Sequence, residues 1–238
     1  MGCVIVAADG KTVLGEGFHV RKGGPHAEAA ALADTRARGI AREQMESATA
    51  YVTLEPCHMG PGKTTPACDE ALIAHGIRNV HIALLDPDVS FGNAGVQHLR
   101  EHGVEVTIGT CADAVADSLR PYLHHRRTSM PYVVLKAAPS ADGAIACADG
   151  TSKWITGATA RGHAQLLRAS SHAIMVASGT ALADDPRLTL RLADATLPEG
   201  WEEPTKQPLR VRAAPRGLAS LVMRSSIRLN GRARLARA

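Results

Sequence analysis

The sequence predicts two α/β units in tandem, and three observations carry this. β-rich runs alternate with helical stretches from residue 3 to residue 124, Gly and Pro punctuate the joins, and a polar junction, HHRRTSMP (124–131), precedes a second such series. Strands spaced by helices of this length predict a layered α/β domain with mostly parallel pairing. At 238 residues the chain is long enough for one large domain or two small ones.

In order, CVIVAADGKTVLGEGF (3–18) reads as a hairpin around Asp9-Gly10, a strong turn signal. A helix follows from His26 to about Arg38, with Gly39 as its stop. ATAYVTL (48–54) is a buried strand. TPACDEALIAHG (65–76) is a helix with Thr65 as N-cap, Pro66 at its first position and Gly76 at its end. RNVHIALL (78–85) and VEVTIG (104–109) are strands flanking a helix from Asn93 to about His102, which Gly103 stops; a further helix runs from Ala112 to about His124. In the second unit, YVVLKAA (132–138) opens as a strand, Asp142-Gly143 turns, Thr156 caps a helix to about Ala169, and HAIMVAS (172–178) is a strand. LADDPRLTLRL (182–192) runs from a turn into a strand, and the pattern weakens from Ala193.

Aromatics are only 3% of the chain, so the core rests on Ala, Val, Leu and Ile. Few stacking platforms are left for single-stranded nucleic acid, which weighs against that partner. No apolar run approaches a membrane span, and the opening GCVIVA reads as a strand rather than a leader. Five cysteines, an odd count, do not suit a disulfide framework; a reducing cytoplasmic compartment is the expectation. The net charge of +4 belongs to the tail: from Pro204 to Ala238 there is no acid, against Lys206 and eight arginines. That tail reads either as a divergent or altered end or as a basic arm.

Chemistry concentrates in GGPHAEAAAL (23–32), TLEPC (53–57) and TPAC (65–68). His26, Cys57 and Cys68 are one nitrogen and two sulfur donors at strand or helix ends. Such a set leaves the fourth position of a tetrahedral zinc open, the catalytic arrangement. Cys68, placed at the third helical position, would have its thiol pKa lowered by the helix end. With His26 as the first helical residue its ring points off the end toward the metal. Glu28, in the same turn, is then a proton shuttle for metal-activated water. Singly, each residue has a bland reading as a core thiol or a solvated helix start; jointly, the pattern matches the H-x-E…P-C signature of zinc deaminases.

GCVIV, GEGFH, GGPHAEAAAL, ATAYVTLEPC and TPACDEALI resemble the deaminase half of the bifunctional riboflavin-biosynthesis deaminase/reductase family. PYVVLKAAPSADG, SKWITG, QLLRASSHAIM and GTALADDPRLTLR resemble the start of its reductase half, so the likeness covers roughly residues 2–210. A generic cytidine deaminase would explain HAE and PC but not SKWITG or LADDPRLT. The resemblance implies a cytidine-deaminase-like three-layer α/β/α domain over 1–125, a partial dihydrofolate-reductase-like α/β domain over 131–210, and a divergent basic tail over 211–238. It implies a zinc-dependent deaminase acting on a small phosphoribosyl pyrimidine, with NADPH as cofactor of the second half. His26, Cys57 and Cys68 match its zinc ligands and Glu28 its catalytic residue. Ala138, Trp154, Thr180 and Asp184 match positions lining NADPH; Ser152, Arg168, Leu188 and Arg191 match positions meeting the phosphoribosyl substrate. No G-x-G-x-x-G follows a strand, which argues against a Rossmann site.

The chain departs from that pattern in four places. It opens at the first strand, where the family has a preceding helix and SPNPxVG loop, so an open apolar sheet face and association of copies through it are expected. CHMGPGKTTPAC (57–68) is about two residues longer than the family's loop, and His58 falls near that loop's histidines without being assigned as a ligand. Pro139 and Ala141 replace residues of the usual ASLDG. The reductase pattern is lost after QPLRV (207–211), so reduction is expected to be impaired. A different nucleoside or tRNA deaminase and a non-catalytic remnant are the alternative readings.

Overall fold

The computed structural model describes residues 1–59, 67–87, 93–193, 195–197, 204 and 206–213. The chain forms two compact units, Met1–Val134 and Leu135–Ala238. In the first, β1 (Gly2–Val6) and β2 (Val13–Phe18) form the predicted hairpin. Its connection is a six-residue loop in which the Asp9 carboxylate accepts the Lys11 and Thr12 amides at 2.8 Å. The unit continues through α1 (Ala27–Ala37), α2 (Arg42–Glu46), β3 (Thr49–Leu54), α3 (Cys68–Ala74), β4 (Asn79–Leu84), α4 (Ala94–Glu101) and β5 (Glu105–Ile108). Then come α5 (Ala112–Ser118) and α6 (Arg120–Thr128).

The sheet order is β2-β1-β3-β4-β5. Pairing is parallel only across β3-β4-β5; β1 runs antiparallel to both its neighbours, so the sheet is mixed rather than mostly parallel. A short hairpin connection forces β1 and β2 antiparallel, and only the helix crossovers from β3 onward permit parallel strands. Alternation along the strands sends Cys3, Ile5, Ala50, Val52, Val80 and Ile82 to one face. There they join Ala31 and Leu32 of α1, Leu72 of α3, and Val96 and Leu99 of α4 in a single buried core. Gly15 and Gly17 let α1 lie directly on β2. A Cβ at Gly17 would stand 2.3 Å from the Ala31 nitrogen, and one at Gly15 2.7 Å from the Ala31 carbonyl oxygen.

On the opposite face α5 contacts β4. An open depression of about 800 Å³ lies there against Val4, Tyr51, Thr53, His81, Thr110 and Val115. Phe18 lines the same depression and is exposed.

Gly39, Gly76 and Gly103, all at positive φ, end α1, α3 and α4 where the sequence places them. The starts differ. His26 is the N-cap of α1, extended at ψ 164°, not its first helical residue. α3 starts at Cys68 with Ala67 as N-cap, so Cys68 is first rather than third; the expected cap Thr65 and Pro66 lie outside the described residues. The helix predicted over 112–124 is two helices with the break at Leu119. Pro121 near the start of α6 has no amide to carry a helix ladder onward, and it disfavours the helical conformation before it.

The second unit holds α7 (Ala158–Ala169), β6 (Ala173–Ala177), α8 (Ser178–Asp184) and β7 (Leu209–Ala213), with β6 and β7 parallel. Gly157, not Thr156, occupies the N-cap of α7. Residues 132–138 form no strand, and Val133, Val134 and Leu135 are 70%, 60% and 92% exposed. β propensity alone does not hold a strand without a partner ladder. Residues 186–192 also form none. Leu188 and Leu190 are buried, but the Leu190 amide donates to the Gln207 side chain at 2.7 Å, taking the place of a ladder bond.

Candidate active site

Three element ends converge at one point in the first unit: the N-cap of α1, the loop after β3 and the first residue of α3. The Cys68 amide donates to the Cys57 carbonyl at 3.0 Å, which ties the two cysteine-bearing segments together. His19 Nδ1 meets the Pro25 carbonyl at 2.8 Å, and its ring stands edge-on to His26 at 5.3 Å, bracing the approach to α1.

The donors form a near-equilateral triangle. His26 Nδ1 is 3.4 Å from Cys57 Sγ and 3.4 Å from Cys68 Sγ, and the two sulfurs are 3.4 Å apart. Ordinary zinc–sulfur and zinc–nitrogen bonds at tetrahedral angles give donor separations of roughly 3.5–3.8 Å, so these residues fit that ion within a few tenths of an ångström. The triangle leaves one tetrahedral direction open. Glu28, the second residue of α1, is buried, and its carboxyl hydrogen-bonds the Cys68 thiol.

The electrostatics differ from the sequence argument at Cys68. Its thiol is pushed up, first by the hydrogen bond with Cys57, then by burial and by Glu28. The helix end does not govern it; α3 has two acids, Asp69 and Glu70, in its first turn, which oppose the dipole. Loading the site therefore displaces thiol protons. Burial also pushes the Glu28 carboxyl up, against its hydrogen bonds and the nearby His26.

Sequence reasoning passed over Glu55, which the fold uses to fix the same corner. Its buried carboxylate accepts the Val96 amide at 3.2 Å and the Asp86 amide at 3.3 Å, joining the end of β3 to the start of α4 and to the segment after β4. Burial raises its pKa, opposed by the amides of Val96, Asp86 and Gly95. Replacing Glu55 by Ala strands the amides it holds and is expected to cost about 1–3 kcal/mol, read from urea denaturation. An unchanged midpoint would mean that water replaces the carboxylate. The available signal was a glutamate inside an otherwise apolar strand end, YVTLEP.

In the second unit the structure brings Arg168 and Arg191 together. Arg168 Nη1 donates to the Thr189 carbonyl at 3.3 Å, Arg191 Nη1 donates to the Thr189 hydroxyl at 3.3 Å, and burial followed by Arg191's charge lowers the Arg168 pKa. Leu188 is buried beside them in sequence at a φ of 51°. Trp154 is largely exposed, with the Arg161 guanidinium 4.4 Å from its ring centroid. Ser152, Thr180 and Asp184 are exposed and Ala138 is half-buried. Thr180 and Asp184 both lie on α8.

A mixed sheet with a His-Cys-Cys triangle at the ends of its strands and helices defines the class of the first unit. It is a zinc-site domain of the cytidine-deaminase type, and residues 1–84 match the family described as the cytidine and deoxycytidylate deaminase zinc-binding region. Residues 131–225 match the RibD C-terminal domain, and the chain, carrying both in this order, belongs to the RibD family.

It is 43% identical over 214 residues to the riboflavin biosynthesis protein RibD of Escherichia coli K12, covering 89% of this chain and 56% of that protein. It is 41% identical over 218 residues to RibD of Chlamydia pneumoniae, covering 91% and 54%. Among solved structures, RibD of Acinetobacter baumannii matches at a TM-score of 0.76 and 39% identity, over 94% of this chain and 58% of that one. A Thermotoga maritima protein described as a diaminohydroxyphosphoribosylaminopyrimidine deaminase/5-amino-6-(5-phosphoribosylamino)uracil reductase matches at 0.76 and 37%, over 91% and 57%. The chain thus spans just over half the length of these relatives.

Proposed function

We propose that the first unit hydrolytically deaminates a phosphoribosyl diaminopyrimidinone, the step that the name of the Thermotoga relative describes. The observation that carries this is the 3.4 Å triangle of His26, Cys57 and Cys68 with the Glu28 carboxyl beside it. Those three residues would hold a zinc ion, which would supply Lewis-acid activation of water. His26 is oriented by the N-cap geometry of α1, and the two cysteines by the hydrogen bond from the Cys68 amide to the Cys57 carbonyl. Glu28 holds a proton at its carboxyl oxygen and delivers it to the departing amine, so that water is consumed and ammonia leaves while the ring carbon becomes a carbonyl.

In the second unit the reading assigns binding to residues matching the reductase half. Arg168 and Arg191 face one region, as two guanidiniums meeting a phosphate would, and Ser152 and Leu188 complete the phosphoribosyl set. Ala138, Trp154, Thr180 and Asp184 form the NADPH set.

Incubating the chain with the phosphoribosyl diaminopyrimidinone is expected to release ammonia, while cytidine and adenosine-containing tRNA release none. Ammonia from only the latter two overturns the substrate. A folded, zinc-loaded chain that releases none from any of them would assign it a binding role. Oxidation of NADPH in the presence of the deaminated product tests the second set.

A further inference from the structure

Beside the His26-Cys57-Cys68 triangle the structure holds a second cluster whose residues take no part in the proposed chemistry. His58 on the loop after β3, Asp69 at the second position of α3 and His98 in α4 converge, with donor atoms within 4.8 Å of one another. One oxygen of Asp69 takes both imidazoles: His58 Nδ1 at 2.6 Å and His98 Nδ1 at 2.9 Å. The other oxygen accepts the Glu70 amide at 2.8 Å, which fixes the carboxylate plane. Asp69 is 0% exposed, whereas His58 and His98 keep a fifth to a third of their side-chain surface open, so the cluster is rooted in the core and reachable from solvent.

His98 on α4 and His102 at its C-cap are four apart, and their rings lie 4.3 Å apart with planes tilted by 60°. His102 Nδ1 donates to the His98 carbonyl at 2.9 Å, which leaves its Nε2 as an acceptor. The rings of His58 and His98 lie 4.7 Å apart.

We propose that His58, Asp69 and His98 form a second divalent-metal site, for a borderline first-row ion, with His102 available at its rim. The donor set is two imidazoles and one carboxylate oxygen, which suits such ions and differs from the sulfur-rich first triangle. A carboxylate fully removed from water is costly unless its charge is met, and a dication between the carboxylate and two neutral imidazoles meets it. The 2.9 Å edge is that between adjacent ligands about 2.1 Å from a six-coordinate ion. The 2.6 Å edge is shorter, so entry of the ion parts His58 from Asp69 by a few tenths of an ångström and displaces the protons on the two Nδ1 atoms. The three donors come from three elements, so the bound ion would clamp the Cys57 loop to α3 and α4.

Metal analysis of the full chain after zinc loading and desalting tests this, with variants that separate it from the first site. Two ions per chain are expected in the wild type. His98→Ala and His58→Ala are each expected to fall to one, and Cys57→Ser is expected to fall to one by losing the other. Loaded with Co2+, His98→Ala should keep the intense thiolate-to-cobalt charge-transfer band and Cys57→Ser should lose it while still binding one ion. One ion per chain in the wild type, lost in Cys57→Ser and retained in His98→Ala, overturns the second site and leaves the first intact. One ion lost in His98→Ala and retained in Cys57→Ser would support the second site and overturn the first.

Discussion

Replacing Glu28 by Gln is expected to lower ammonia release by a factor of about 10²–10⁴ while the zinc content per chain stays unchanged. The expectation rests on the difference between holding a place and moving a proton. Glu28 is the second residue of α1 and is buried. It is not one of the three donors of the triangle. Glutamine has nearly the same volume and can keep the contact to the Cys68 thiol, so helix packing and the metal triangle persist. Its amide can neither take a proton from water nor return one to a leaving amine. Zinc analysis, far-UV circular dichroism and an ammonia assay on the same sample separate the two roles. Loss of zinc together with activity would make Glu28 a structural residue, and full activity without the carboxylate would end the proposed mechanism.

The triangle was legible in the sequence because its donors sit at element ends that announce themselves: Gly-Gly-Pro before His26, Pro before Cys57, Gly after the helix that begins at Cys68. What the sequence misplaced was local position. His26 and Cys68 each sit one or two places earlier relative to their helices than expected, because the N-terminal residue of a helix depends on tertiary bonds such as Cys68 amide to Cys57 carbonyl. The second cluster was hidden for a different reason. His58, Asp69 and His98 are up to 40 positions apart and form no common motif; only the packing of α3 against α4 brings His98 to the other two. Glu55 offered one signal, a glutamate closing an apolar strand, but nothing in the sequence names the Val96 and Asp86 amides it meets. YVVLKAA (132–138) has every property of a strand except a partner among the described residues, and period-2 patterning cannot report whether a partner is present.

Gly17→Ala is expected to destabilise the first unit by about 3 kcal/mol and to weaken zinc binding together with it. The added Cβ would stand 2.3 Å from the Ala31 nitrogen, 2.6 Å from the Ala27 carbonyl oxygen and 2.7 Å from the Ala30 carbonyl carbon. All three are backbone atoms of α1, so no side chain can turn aside; the helix itself must lift by roughly 1 Å. His26 caps that helix, whereas Cys57 and Cys68 are carried by β3 and α3. Lifting α1 therefore pulls one corner of the triangle from the other two, which couples sheet packing to metal affinity. Gly2→Ala is the control on the paired strand: its Cβ would meet Thr53 Cγ2 at 3.8 Å, an ordinary contact, and is expected to change stability by no more than about 0.5 kcal/mol. Urea denaturation and competition with a zinc chelator read the two effects. A Gly17→Ala chain as stable as Gly2→Ala, with zinc held as tightly, would mean that α1 does not rest on β2. A destabilised chain with unchanged zinc affinity would mean that the loop before α1 holds His26 independently of the helix.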